Sequence, residues 1–142
     1  MNGNAEILNY IYQNSQMGLD TINQLLGIVT DQDFKKHLQS ELNEYRYIND
    51  LAKEKLHKNG CEEKGIGNLA KISTYMTINM KTITDKTPSR ISQMLIEGST
   101  KGIVDATKNI KKYSDAEKDI LDLADKLLKF EQNNVEQLKK FL

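Results

Sequence analysis

The chain has little of what most functional classes require. It holds one cysteine, Cys61, and one proline, Pro88. A single thiol cannot close an internal disulfide, so the fold must rest on its core. Cys61 sits in a predicted loop beside Gly60, Glu62 and Glu63, and acidic neighbours disfavour a thiolate. It reads as an incidental surface thiol rather than a nucleophile. Net charge is absent, with 20 basic residues against 20 acidic. No basic field exists to draw the chain to nucleic acid or to an anionic membrane. The small cluster Lys108, Lys111 and Lys112 reads as a solvated helix end. No apolar run approaches the roughly 18 residues of a membrane-spanning helix. Residues 1–30 show no basic stretch followed by an apolar one, so no signal peptide is expected. There are only two histidines, and no Gly-rich phosphate loop, Cys-x-x-Cys or Ser/His/Asp set. Any acid–base chemistry would fall to carboxylates. A cytoplasmic location is the expectation these absences leave.

What the chain does have is helical periodicity. Its 142 residues suit one domain, residues 1–142, and 38% hydrophobic content supports a core. A first helix is expected over about residues 4–29, with Leu8, Ile11, Ser15, Gly18, Ile22, Leu25 and Val29 as its seam. Thr30, Asp31 and Asp33 offer caps, and a second helix follows at once, to about His57. So tight a connection implies an antiparallel pair. His57 adjoins the helix terminus and suits its dipole, and Asn59-Gly60 is a helix stop. A shorter helix is expected over about residues 66–84, with Leu69, Ser73, Met76, Met80 and Ile83 on one face. The methionines read as gap-filling core. Thr87-Pro88 is an N-cap and first-turn pair, opening a helix through Ile91, Leu95, Gly98, Gly102, Ala106 and Ile110 to Tyr113. Ser114-Asp115-Ala116-Glu117 has the form of a capping box, so the last helix should start there and run to about Phe141. The predicted architecture is all-α: an up-and-down four-helix bundle, with the extra short helix between two hairpins. Ser15 and Gly18 should face Gly98-x-x-x-Gly102, since small residues on both sides allow close approach.

Polar residues interrupt two of these stripes where the core should be driest. On the last helix, Ile120, Ala124, Leu127, Glu131, Asn134, Leu138 and Phe141 share one face. On the second, Phe34, Leu38, Glu41, Tyr45, Ile48 and Ala52 do the same. A carboxylate inside a bundle needs a metal, a partner or a proton. Glu44 lies three residues past Glu41 and His37 four before it, both on that side of the helix. Glu131-x-x-Asn134 repeats the spacing, and Glu97 lies nearer the edge of its stripe. Tyr45, Tyr75 and Arg46 are candidate donors. Carboxylate-type dimetal bundles use a Glu from each of two helices and a Glu-x-x-His from each of the other two. Here Glu44 and Asn134 stand where the histidines would be.

These residues carry a resemblance. The stretch Glu41-Leu42-Asn43-Glu44-Tyr45-Arg46, then Leu51 and Asn59-Gly60, with Met94-Leu95-Ile96-Glu97-Gly98 and Gly102-Ile103 later, resembles the ferritin-like superfamily. Within it, the chain is similar to an uncharacterised bacterial group with degenerate metal ligands; a weaker similarity is to spore-coat bundle proteins. The resemblance spans most of the chain through helix order and lengths. It implies metal-ligand positions at Glu41, Glu97 and Glu131. The ligand of the first helix and both histidines are missing. The function expected from this is a non-enzymatic ferritin-like bundle with a structural or interaction role and an incomplete metal site, with no cofactor. The alternative is a weak carboxylate metal-binding or oxidase-like protein using Glu41, Glu44, Glu97 and Glu131, with His37, holding iron or another divalent metal. A third reading places an apolar molecule in a gap at Ser15, Gly18 and Gly98. The partner classes left are a second copy of the chain, giving a homodimer, or another protein.

Overall fold

The computed structural model describes residues 2–63 and 83–142, and builds them into four long helices with no strand among the described residues. α1 is Asn4–Leu26, α2 is Gln32–Lys58, α3 is Pro88–Lys112 and α4 is Lys118–Leu138, followed by a 3₁₀ turn at Lys139–Phe141. The helix expected over about residues 66–84 lies outside the described residues, apart from Ile83 and Thr84, which are not helical.

Most boundaries follow local chemistry. Asp31 caps α2 by accepting from the Phe34 N–H at 2.9 Å. At the other end Gly60 takes φ 68. That turns the Cys61 N–H back to the Leu56 carbonyl at 2.8 Å and the Gly60 N–H to His57 at 3.0 Å, which satisfies two carbonyls of the last turn. Thr87 accepts from the Arg90 N–H at 3.3 Å, with Pro88 as the first helical residue. α1 stops at Leu26, three residues short of the periodicity. Gly27 and Ile28 close a tight turn there, which keeps Val29 in the core.

The start of α4 corrects the sequence reading. Ser114 to Ala116 form a turn, Glu117 takes the N-cap position, and the helix begins at Lys118. The cause is tertiary. The Glu117 N–H donates to Asn4 Oδ1 at 2.9 Å, and the Gly3 N–H donates to Asp115 Oδ1 at 3.3 Å. Contacts to the head of α1 replace the local capping box.

Those same contacts set the helix directions. Asn4, at the start of α1, also meets Asn59, just past the end of α2. A Cβ on Gly3 would touch Tyr113 at the end of α3. One end of the bundle therefore gathers the start of α1, the ends of α2 and α3, and the start of α4. At the far end Phe141 packs on Phe34, with ring centroids 5.0 Å apart. The order is up, down, down, up, which corrects the simple up-and-down alternation. α2 and α3 run parallel, with residues 59–87 between them in sequence. α1 packs along α2 and α3 along α4, and contact between the two hairpins is sparser.

The core is built from Ile7, Leu8, Ile11, Ile22 and Leu25 of α1, Phe34, Leu38, Tyr45, Ile48 and Leu56 of α2, Ile91 and Leu95 of α3, and Ile120, Leu127 and Leu138 of α4. Each such side chain contributes about 1.5–3 kcal/mol on burial. Five consecutive residues of α1, from Ile7 to Ile11, are buried. The helix still keeps an exposed edge at Glu6, Asp20, Asn23 and Gln24.

Candidate functional site in the bundle interior

α2 and α4 run antiparallel and meet in a ladder of side-chain contacts. Tyr45 and Phe130 pack edge to face at 4.8 Å, and Lys126 lies 5.2 Å from the Tyr47 ring. Lys55 and Asp119 pair at 2.8 Å near one end. Near the other, His37 and Phe34 both lie against Phe141. Between these rungs sit the polar residues that the stripes foretold. Glu41 and Glu131 are both buried. The Asn134 side-chain amide donates to Glu41 Oε1, and its carbonyl oxygen meets His37 Nε2 at 3.1 Å. An amide oxygen only accepts, so His37 Nε2 carries the hydrogen.

Further along the bundle a second buried polar contact joins α1 to α3. Tyr10 of α1 donates to the Gly102 carbonyl of α3 at 3.4 Å and accepts from Asn14 at 3.1 Å. The charge of Glu131 acts on both Tyr10 and Glu41. Burial, then that charge, pushes Glu41 up to about 8 from 4.5. Burial, then the same charge, also raises the Tyr10 phenol. Burial lowers His37, against the opposing effect of its bond to Asn134, and Lys140 lowers it further. His37 Nε2 and Glu41 Oε2 lie 3.9 Å apart. Both groups are displaced toward their neutral forms, so this is a contact between an imidazole and a carboxylic acid rather than an ion pair.

The structure thus brings Glu41 together with His37, and sets Glu131 near enough for its charge to act on Glu41. Glu44 is half-buried, three residues round the helix from Glu41. Glu97 is exposed and accepts from Gln93 on its own helix at 3.2 Å, so it lies apart from the buried acids. Of the candidate donors, Arg46 is exposed and Tyr75 lies outside the described residues; the amide of Asn134 donates to Glu41. Ser15 and Gly18 also lie differently than expected. Ser15 accepts from Asn49 of α2 at 3.0 Å, and a Cβ on Gly18 would come within 2.6 Å of the Tyr45 ring. Both face α2, and Tyr45 fills the gap that was to hold an apolar ligand. The α3 backbone near Gly102 is met by Tyr10 instead.

Sequence reasoning missed the contribution of α1. Asn9, Tyr10, Gln13 and Asn14 are all buried. The signal was present: Glu6 and Asp20 are the only charged residues in Asn4–Leu26. A helix with so little charge is a candidate for burial over most of its surface.

A dinuclear carboxylate centre needs four glutamates and two histidines converging. Here two glutamates converge, and the nearest imidazole hydrogen-bonds an amide. Asn134 presents a nitrogen donor that cannot ligate. No group of three or more His, Cys, Asp or Glu among the described residues is placed to hold a metal ion. The donor set does not fit such a centre. What it can do is hold a proton on a buried acid and tie helices together.

Elsewhere, an open cavity of about 630 Å³ lies at the end of the bundle near Gly3, Asn59, Cys61 and Tyr113, away from the buried acids. No described helix is long and apolar enough to cross a membrane. The fold and this interior define a four-helix bundle with polar contacts buried in its core. Comparison of the chain with protein-family profiles, curated proteins and solved structures finds no match.

Proposed function

We propose that the chain is a non-enzymatic helical bundle of ferritin-like type, with a structural or interaction role and an incomplete metal site. Two features support the class. One is the up, down, down, up order with a single long crossover between hairpins, a connection that ferritin-like bundles use. The other is a pair of glutamates at the bundle centre. The observation that carries the functional half is the position of Asn134. It occupies the last place of the Glu-x-x-His spacing, and its amide hydrogen-bonds Glu41 and His37 together. Glu41 is served by the neighbouring amide and by a raised affinity for its own proton. The partner belongs to the protein class, a second copy or another chain, in a cytoplasmic setting.

The test is metal loading. Purified protein is titrated with Fe(II), Mn(II) and Zn(II) by calorimetry, and oxygen consumption is followed with Fe(II). The expected result is weak, substoichiometric binding and no ferroxidase turnover. Two firmly bound irons per chain, with turnover lost in Glu41→Gln, would overturn this reading and establish an oxidase.

A further inference from the structure

We infer that the buried polar contacts are a register lock between the two hairpins, setting which turn of α4 faces which turn of α2. The connections show why a lock is needed. Within each hairpin a short turn fixes the alignment: Gly27 to Asp31 between α1 and α2, and Tyr113 to Glu117 between α3 and α4. Between the hairpins there is no such short turn: residues 59–87 separate α2 from α3 in sequence. The apolar stripes do not impose one either. Phe34, Leu38, Tyr45 and Ile48 on α2, and Ile120, Leu127 and Leu138 on α4, repeat every three or four residues. Ridge-into-groove packing offers such stripes several alignments one or two turns apart.

The buried hydrogen bonds break this degeneracy at the seam that no short turn controls. Asn134 of the second hairpin meets Glu41 and His37 of the first. Tyr10 of the first meets the Gly102 carbonyl of the second. Sliding α4 by two turns would set Leu127 against Glu41 and Asn134 against Phe34. A buried acid and a buried amide would then face carbon in place of each other. A polar group at a single core position sets coiled-coil register by the same physics. The lock acts whether or not a metal binds, so its failure and that of the metal-free reading are separate results.

The experiment removes the polar contacts between α2 and α4 and reads the register of those two helices. Spin labels go on the exposed positions Asp50→Cys of α2 and Asn133→Cys of α4, with Cys61→Ser as background. Electron–electron distance measurements then compare the native interior with Glu41→Leu/Glu131→Leu/Asn134→Leu. The native interior should give one distance. The apolar interior should melt no lower but show a second population, displaced by up to about 10 Å for a two-turn slip. A single unchanged distance in the apolar variant overturns the lock, as does more than one distance in the native interior. Should the triple variant not fold, Glu41→Leu/Asn134→Leu is read by the same criteria. Failure of both to fold also overturns the inference, because a lock chooses among packed states without supplying most of their stability.

Discussion

Replacing Glu41 by glutamine removes a proton-binding group while keeping its shape and its acceptor for Asn134. Glu41 titrates near 4.5 in an unfolded chain and at about 8 here. Its folded-state pKa is raised, so the folded state keeps a proton that the unfolded chain releases. The stability tied to it is fully present below about pH 4.5 and is lost as pH rises through 8. At about 1.4 kcal/mol per pH unit, the loss reaches roughly 3 kcal/mol at pH 7 and at most about 5 kcal/mol above pH 9. Against a typical total of about 5–15 kcal/mol, that is a large share. Glu41→Gln has no such proton to lose, and the titrations of other groups cancel in the difference between the two proteins. Urea unfolding of both from pH 4.5 to 9 should therefore start near coincidence. The gap should widen with pH, with the variant more stable at the alkaline end. Curves that stay parallel within about 0.5 kcal/mol between pH 5 and 8 would refute the reasoning, because Glu41 would then be ionised or solvated in the folded state.

Gly18→Ala should destabilise by ~1–3 kcal/mol, although alanine favours helix, because the new methyl meets the Tyr45 ring; Tyr45→Leu should recover part of the loss, and an unchanged urea midpoint would place Gly18 away from α2. The His37 imidazole should titrate below 6.5 by NMR, being held toward neutrality by burial. Its contribution to stability is then present above 6.5 and lost on acidification, and Phe141→Ala should move the midpoint back up by uncovering the ring. A midpoint at or above 6.5 in the native protein would contradict that burial.

The helices were largely legible because their signals are local. The cap at Asp31, the stop at Asn59-Gly60 and the Thr87-Pro88 opening act through bonds within a few residues, and each appears in the structure. The Ser114 capping box failed because Asn4 and Asp115 settle the start of α4 through contacts more than a hundred residues apart in sequence. Glu41 and Glu131 were legible as buried acids because apolar residues flank them at helical spacing. What periodicity could not supply was the partner of each face. Gly18 was assigned to α3, yet it lies against Tyr45; small residues announce a close approach without naming what approaches. The direction of α3 was hidden for a similar reason, since a connection of almost thirty residues is compatible with either sense.

The helix order also has a mechanical consequence. α1 and α4 are parallel neighbours, and the first residue of α1 and the last of α4 lie at opposite ends of the bundle. Tension applied between them would pull the two helices past each other along their length. Every cross-hairpin contact from Tyr10–Gly102 to Phe34–Phe141 would then be loaded together in shear. A bundle with adjacent ends would instead unzip one contact at a time.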